Sequence, residues 1–209
     1  MEAFNKLLKQ INLDVRQNKR FIFGIDGLSR SGKTTLTNML LSMLSEREIE
    51  GIAIHLDDHI VERSKRYNTG CEEWHEYYYL QWDIERLRKT LFENLIHSEE
   101  IELPYYDIEK DQYIDKTLNL ADKEIIIVEG IFLQREEWKS YLDYTVFIDC
   151  PRDVRFGREN SQTQENIEKF RNRYWKAEDF YMEKLRPEEK ANLVISYFEL
   201  LKESAGDGQ

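Results

Sequence analysis

One octapeptide limits what this chain can fold into more than any other stretch: GLSRSGKT at 27–34, set between an apolar run and an amphipathic one. It matches G-x-x-x-x-G-K-[ST], which ordinary residue usage would place in a chain this long by chance with odds of roughly one in a hundred. The flanks sharpen the reading. FIFGID (21–26) reads as a buried strand, and Leu36, Met39, Leu40, Met43 and Leu44 mark one face of a following helix. Gly27 and Gly32 permit tight backbone geometry, so that successive N–H groups converge on phosphate oxygens. The helix N-terminus adds its partial positive charge. Lys33 brings a full charge to terminal phosphates, and the Thr34 hydroxyl suits Mg²⁺. The predicted nucleotide-binding set is therefore Gly27, Leu28, Ser29, Arg30, Ser31, Gly32, Lys33, Thr34 and Thr35.

The remaining chain repeats the same alternation. IAIHLDD (52–58), EIIIVEG (124–130), YTVFID (144–149) and LVISY (193–197) read as strands. Ile84, Leu87, Leu91 and Leu95 mark a helix opened by Asp83 as N-cap. Ile167, Phe170, Tyr174, Ala177, Tyr181 and Leu185 line a long helix, and Phe4, Leu7, Leu8, Ile11 and Val15 another. Continuous apolar strands separated by helices imply an α/β fold with a mostly parallel five-stranded sheet covered on both faces. Without a linker or repeat, the chain reads as a single domain over 1–209, with a core at about 20–197, an N-terminal helix at 1–18 and a frayed tail at 202–209. Ligands of such sheets gather at the carboxyl ends of the strands.

Composition narrows the partners. A formal net charge of −11 argues against nucleic acid, whose binding depends on neutralised phosphates. No run of eighteen apolar residues spans a membrane. Cys71 and Cys150 are too far apart to form a framework or a metal site, so a reducing, cytoplasmic setting is expected. His55, His75 and His97 are scattered without ligand spacing. Nothing fixes an oligomeric state, and a homodimer is compatible with the sequence.

Three features beyond the phosphate cradle point toward a reaction. Asp57-Asp58-His59 ends the second strand, where a carboxylate could take a proton from an acceptor hydroxyl or help to hold a metal. Glu129 follows four apolar strand residues, placed to support Mg²⁺ through water. Arg152, Arg155 and Arg158 are spaced three apart, which on a helix puts them near one face as a lid over the transferred phosphoryl group. Trp74, His75, Tyr77, Tyr78, Tyr79 and Trp82 form the densest aromatic cluster, readable equally as substrate contact or as packing. A guanine-reading N-K-x-D element is absent, since Asn5-Lys6 and Asn18-Lys19 lack the aspartate. That disfavours a GTPase, the second class considered; a nucleotide-binding regulatory protein without catalysis is the third.

In order, GLSRSGKT, LDDH, PYYD (104–107), IIIVEGIF (125–132) and PRDVRFGR resemble the uridine kinase and phosphoribulokinase-like P-loop kinases. The resemblance covers roughly residues 20–197. It implies a three-layer P-loop kinase fold and ATP-dependent, Mg²⁺-assisted phosphorylation of a hydroxyl on a small, sugar-containing metabolite such as a nucleoside. It gives Lys33, Asp57, Arg155 and Arg158 catalytic roles, and Thr34 and Glu129 the metal. Asp57, with His59 in place of the usual aromatic of D-x-[aromatic], and Tyr106 and Asp107 of P-x-Y-D would meet the acceptor. Two departures stand out. The His/Arg pair expected after the Y-D pair is replaced by IEKDQ, and EEWHEYYYLQWD (72–83) stands where N-[YF]-D-H-P is usual. Uridine is therefore expected to be a weak acceptor, with pantothenate- and nicotinamide riboside-type activities as alternatives.

Overall fold

The computed structural model describes residues 20–206, so the helix expected over 1–18 and the last three residues of the tail lie outside the described residues. Strand β1 (Phe21–Gly27) is the middle of five, with β2 (Gly51–His55), β5 (Ile125–Gly130), β6 (Tyr144–Asp149) and β7 (Leu193–Ser196) in the order β2-β5-β1-β6-β7. Every pairing in this sheet is parallel. Strands β3 (Glu100–Asp107) and β4 (Gln112–Asn119) form a separate antiparallel hairpin. The principal helices are α1 (Lys33–Ser45), α2 (Glu73–Tyr79), α3 (Ile84–Thr90), α4 (Arg152–Phe156), α5 over 167–185, and α6 (Tyr197–Gly206). Helix α5 has a π-turn, Phe170–Trp175, between two α-helical parts. Helix α6 carries helical backbone through residue 206, into the stretch expected to fray.

Alternate strand residues feed two separate cores, as the two-residue period of a strand dictates. Phe21, Phe23 and Ile25 of β1 face Leu36, Leu40 and Leu44 of α1 and Leu200 of α6, together with Ile125 and Ile127 of β5. Ile22, Ile126, Val128 and Phe147 face the opposite side, beneath Tyr77 and Tyr78 of α2, Leu87 of α3 and Ala177 and Tyr181 of α5. Because the sheet is apolar on both faces, its polar chemistry is confined to the strand ends. The chain leaves β1 for β2 on one side, and later passes from β5 to β6 on the other. The crevice at that reversal, at the carboxyl ends of β1 and β5, is where a ligand fits.

Two local expectations need correction. The strand at 52–58 ends at His55, and Leu56–His59 is a 3₁₀ turn. Asp57 and Asp58 are poor strand residues, and they open that turn with negative charge at its N-terminus. The PYYD segment is the end of β3, where Asp107 accepts hydrogen bonds from the backbone N–H groups of Glu109 and Lys110 and so shapes the hairpin turn. The N-cap of α3 is as expected: Asp83 accepts from the N–H of Arg86 at 3.0 Å.

Candidate active site

The loop after β1 turns on Gly32, whose φ of 106° lies in the left-handed region that glycine adopts without strain. Gly32 caps α1 without a side-chain hydrogen bond, and the first turn of α1 has no acidic residue, so its amides keep their positive end uncompensated. Ser31 is fully buried, and its hydroxyl has no hydrogen-bond partner. The Lys33 ammonium folds back to the carbonyl of Leu28 at 3.1 Å, ready for a better anionic partner. Ser29 through Thr35 line a cleft of about 650 Å³. Gly27 and Leu28 do not line it; they shape the loop from behind.

Two carboxylates join the loop in lining the cleft. Glu129, at the end of β5, accepts from Thr34 Oγ1 at 2.8 Å and contacts His55 Nδ1 at 2.6 Å. Burial works against its charge, but the His55 hydrogen bond, the Lys33 charge and the Thr34 hydroxyl together hold its carboxyl below the usual range. The same hydrogen bond raises the pKa of His55. Asp57 lines the cleft from the 3₁₀ turn, whereas Asp58 does not. Successive residues of such a turn point about 120° apart, which separates the two. Solvent reaches Asp57 through the cleft mouth. Its crowded surroundings still push its pKa up; Lys33 pulls the other way, and Glu129 and Asp58 add to the rise.

Thr34 and Glu129 are hard oxygen donors within hydrogen-bond reach of each other, the kind of pair that supports Mg²⁺. Among the described residues no cluster of three or more His, Cys, Asp or Glu could cage a metal. An ion held by one or two carboxylates together with substrate phosphates fits that set; a dedicated protein cage does not.

The remaining walls were only partly foreseen. Tyr77, Ile131, Phe170 and Tyr174 line the cleft beside Asp57. Within the aromatic segment Tyr77, Tyr78 and Trp82 are all buried core, and Tyr77 also lines the cleft, its hydroxyl 3.2 Å from Ser29 Oγ. Phe170 and Tyr174 carry the i, i+4 spacing that reads equally as a core stripe, and that spacing was the only signal for them. At the mouth, Arg158 lies over the Tyr197 ring at 3.9 Å and donates to the carbonyl of Arg30. Arg30, in a left-handed conformation, makes a two-point ion pair with Glu159 at 2.9 and 3.0 Å.

Five residues singled out in the sequence are placed elsewhere. Arg155 is buried, paired with Glu178, and does not line the cleft, because α4 is too short to present all three arginines on one open face. Arg152 is exposed and paired with Asp179. His59 is buried, with Nδ1 at 2.8 Å from the carbonyl of Pro104 and its ring edge-on to Tyr105; the turn at Leu56–His59 rotates it under the hairpin. Tyr106 donates to Asp111 at 2.8 Å and Asp107 is spent on the hairpin turn, so neither lines the cleft.

Comparisons with known proteins place the chain in a family. The phosphoribulokinase / uridine kinase family matches over residues 22–163. A uridine kinase of Limosilactobacillus reuteri (strain DSM 20016) is 30% identical over 148 residues, which is 70% of this chain and 66% of that protein, slightly under two thirds of its length. A uridine kinase of Lactiplantibacillus plantarum is 29% identical over 151 residues, 68% of each chain. A solved structure described as a possible uridine kinase from Bacillus stearothermophilus is 46% identical and superposes with a TM-score of 0.77, covering 91% of this chain and 99% of that one. The three-layer α/β arrangement is shared with it.

Proposed function

Since the chain belongs to the phosphoribulokinase / uridine kinase family, we propose that it transfers the terminal phosphoryl group of ATP to a hydroxyl of a small, sugar-containing metabolite, with nucleosides as the first class to test. The observation that carries this reading is one cleft with Lys33 and the Thr34–Glu129 pair on one wall and the Asp57 carboxylate on the other. The aromatic side chains beside that carboxylate favour an organic acceptor over water as the nucleophile. The names of the relatives support the nucleoside class.

In this reading Asp57 accepts the proton of the acceptor hydroxyl as its oxygen bonds to the γ-phosphorus and the bond to the ADP oxygen breaks. The transition state is loose, so the base helps late and need not ionise the hydroxyl first. The loop amides from Gly32 to Thr35 and the Lys33 ammonium hold the phosphates and take up negative charge on the leaving group. Mg²⁺, held beside Thr34 and Glu129, would supply further charge neutralisation at the phosphates. Arg158 stands at the mouth. It also lines a second, adjoining cavity of 310 Å³ with Gly32, Thr35, Tyr197 and Leu200, which suits the nucleobase of ATP. Tyr77, Phe170 and Tyr174 would flank the acceptor, taking the place that the sequence assigned to His59, Tyr106 and Asp107.

The test is acceptor-dependent ADP release from Mg-ATP across nucleosides, pantothenate, nicotinamide riboside and ribulose 5-phosphate. Turnover with at least one acceptor, absent in Lys33→Met, is the expected result. Uridine should be a weak acceptor. Tight GTP binding without turnover of any acceptor would overturn the reading.

A further inference from the structure

Ser29 is the second residue after β1, and each of its three polar groups is held by a different helix. Its N–H donates to Glu178 Oε1 of α5 at 3.1 Å. Its carbonyl accepts from Arg155 NH1 of α4 at 3.1 Å. Its hydroxyl lies 3.2 Å from the Tyr77 hydroxyl of α2. The first two partners are bound to each other: Arg155 NH1 meets both Glu178 oxygens, at 3.0 and 3.1 Å, with side chains 5% and 0% exposed. Arg155 Nε is tied in turn to the carbonyl of Cys150, just past β6, at 3.0 Å.

We propose that the buried Arg155–Glu178 pair is a positioning device for the phosphate loop, which fixes Ser29 by both its backbone polar groups and locks the loop to α4 and α5. What the loop is held ready for rests on the kinase reading; that it is held does not.

A purely stabilising role accounts poorly for the arrangement. Removing two charges from water is costly, and buried ion pairs can often be replaced by apolar side chains with no loss of stability. The pair is spent on the one residue that precedes Arg30, whose φ of 63° is unfavourable for a side chain of that size. A strained loop whose amides must point at phosphate needs its neighbouring backbone fixed. A second anchor stands about one helical turn further along α5, where the Tyr181 hydroxyl donates to Asp26 Oδ2 while Asp26 Oδ1 accepts from the N–H of Gly27. Glu178 and Tyr181 therefore grip both ends of the segment 26–29. Tyr174 and Phe170, about one and two turns before Glu178 on the same helix, line the cleft. One rigid element thus carries both the loop anchors and part of the wall where an acceptor would rest.

The test is the double variant Arg155→Met/Glu178→Leu, which removes both charges and keeps the volume. The variant should still fold, with a lowered melting temperature, because the two charges leave together while the Ser29 and Cys150 backbone groups lose their partners. Amide exchange at Ser29, followed without nucleotide, should become about tenfold faster, and the Kd for Mg-ATP by calorimetry about tenfold weaker, as for loss of a charge-assisted hydrogen bond. Wild-type exchange and Kd in a folded double variant would overturn the proposal. Should the double variant fail to fold, Glu178→Gln keeps an oxygen for the Ser29 N–H but weakens the grip of Arg155. It should show intermediate exchange and an intermediate Kd, and wild-type values there would also overturn the proposal. A wild-type protein that binds no Mg-ATP would sink the kinase reading, while Ser29 exchange would still decide for or against the clamp.

Discussion

The two walls of the cleft are built in opposite ways. The proposed phosphate wall is seven consecutive residues, Ser29 to Thr35, one unbroken turn of chain. The proposed acceptor wall is Asp57, Tyr77, Ile131, Phe170 and Tyr174, spread over more than half of the chain. Phosphate is the same in every nucleotide, so a contiguous backbone cradle suffices for it. An acceptor has individual shape, and the groups that meet it converge only when the sheet has folded. The first wall should therefore fail by losing charge, and the second by losing one well-placed proton acceptor or one surface.

The sharpest test of the acceptor wall is Asp57→Asn, which keeps shape and removes the base. Single-turnover kcat should fall by about 10²–10⁴-fold with ATP affinity retained. Asp58→Asn, which lies off the cleft, should cost clearly less; equal losses would mean that both carboxylates share one duty. The raised pKa of Asp57 fixes the sign of the pH dependence. Its protonated, inactive form persists to higher pH than for an ordinary aspartate, so activity should fall with acidification through a midpoint above about 3.9. That limb should vanish in Asp57→Asn.

On the phosphate wall, Lys33→Met should lower kcat by about 10²–10³-fold, the usual loss of one preorganised charge contact. A variant retaining a tenth of wild-type activity would break the division between the walls. Arg158→Ala stands between them, and should reduce kcat about tenfold with a smaller effect on the Kd for ATP. Wild-type turnover in that variant would make Arg158 a surface residue packed on Tyr197. The smallest effect belongs to Tyr106→Phe, which should leave the acceptor KM unchanged and cost about 0.5–1.5 kcal/mol of stability through the lost hydrogen bond to Asp111. A raised KM would return Tyr106 to the acceptor wall.

The same contrast explains what could be read from the sequence. The strands of the parallel sheet and the phosphate loop are local patterns, an apolar run or an octapeptide, and the sequence shows them within a residue or two, except that the second strand ends three residues early, at His55. The β3–β4 hairpin was missed because its charged residues, such as Glu100, Glu102, Asp115 and Lys116, mask a strand that is half exposed. The family resemblance implies that His59 and Tyr106 meet the acceptor, but the 3₁₀ turn at 56–59 and the hairpin turn at 107–111 direct them elsewhere. Arg155 was read from its spacing as an open face. Burial against Glu178, a residue 23 positions away, cannot be seen in a spacing.

The central position of β1 also governs how the molecule is made. Its two neighbours are β5 and β6, and the nearer begins about a hundred residues downstream. A ribosome adding roughly 5–20 residues per second needs about 5–20 s to supply that first partner. Throughout that interval FIFGID, apolar on both faces, has no strand to pair with. Production of this protein should therefore depend on chaperone capacity and on growth temperature more steeply than the stability of the finished fold would suggest.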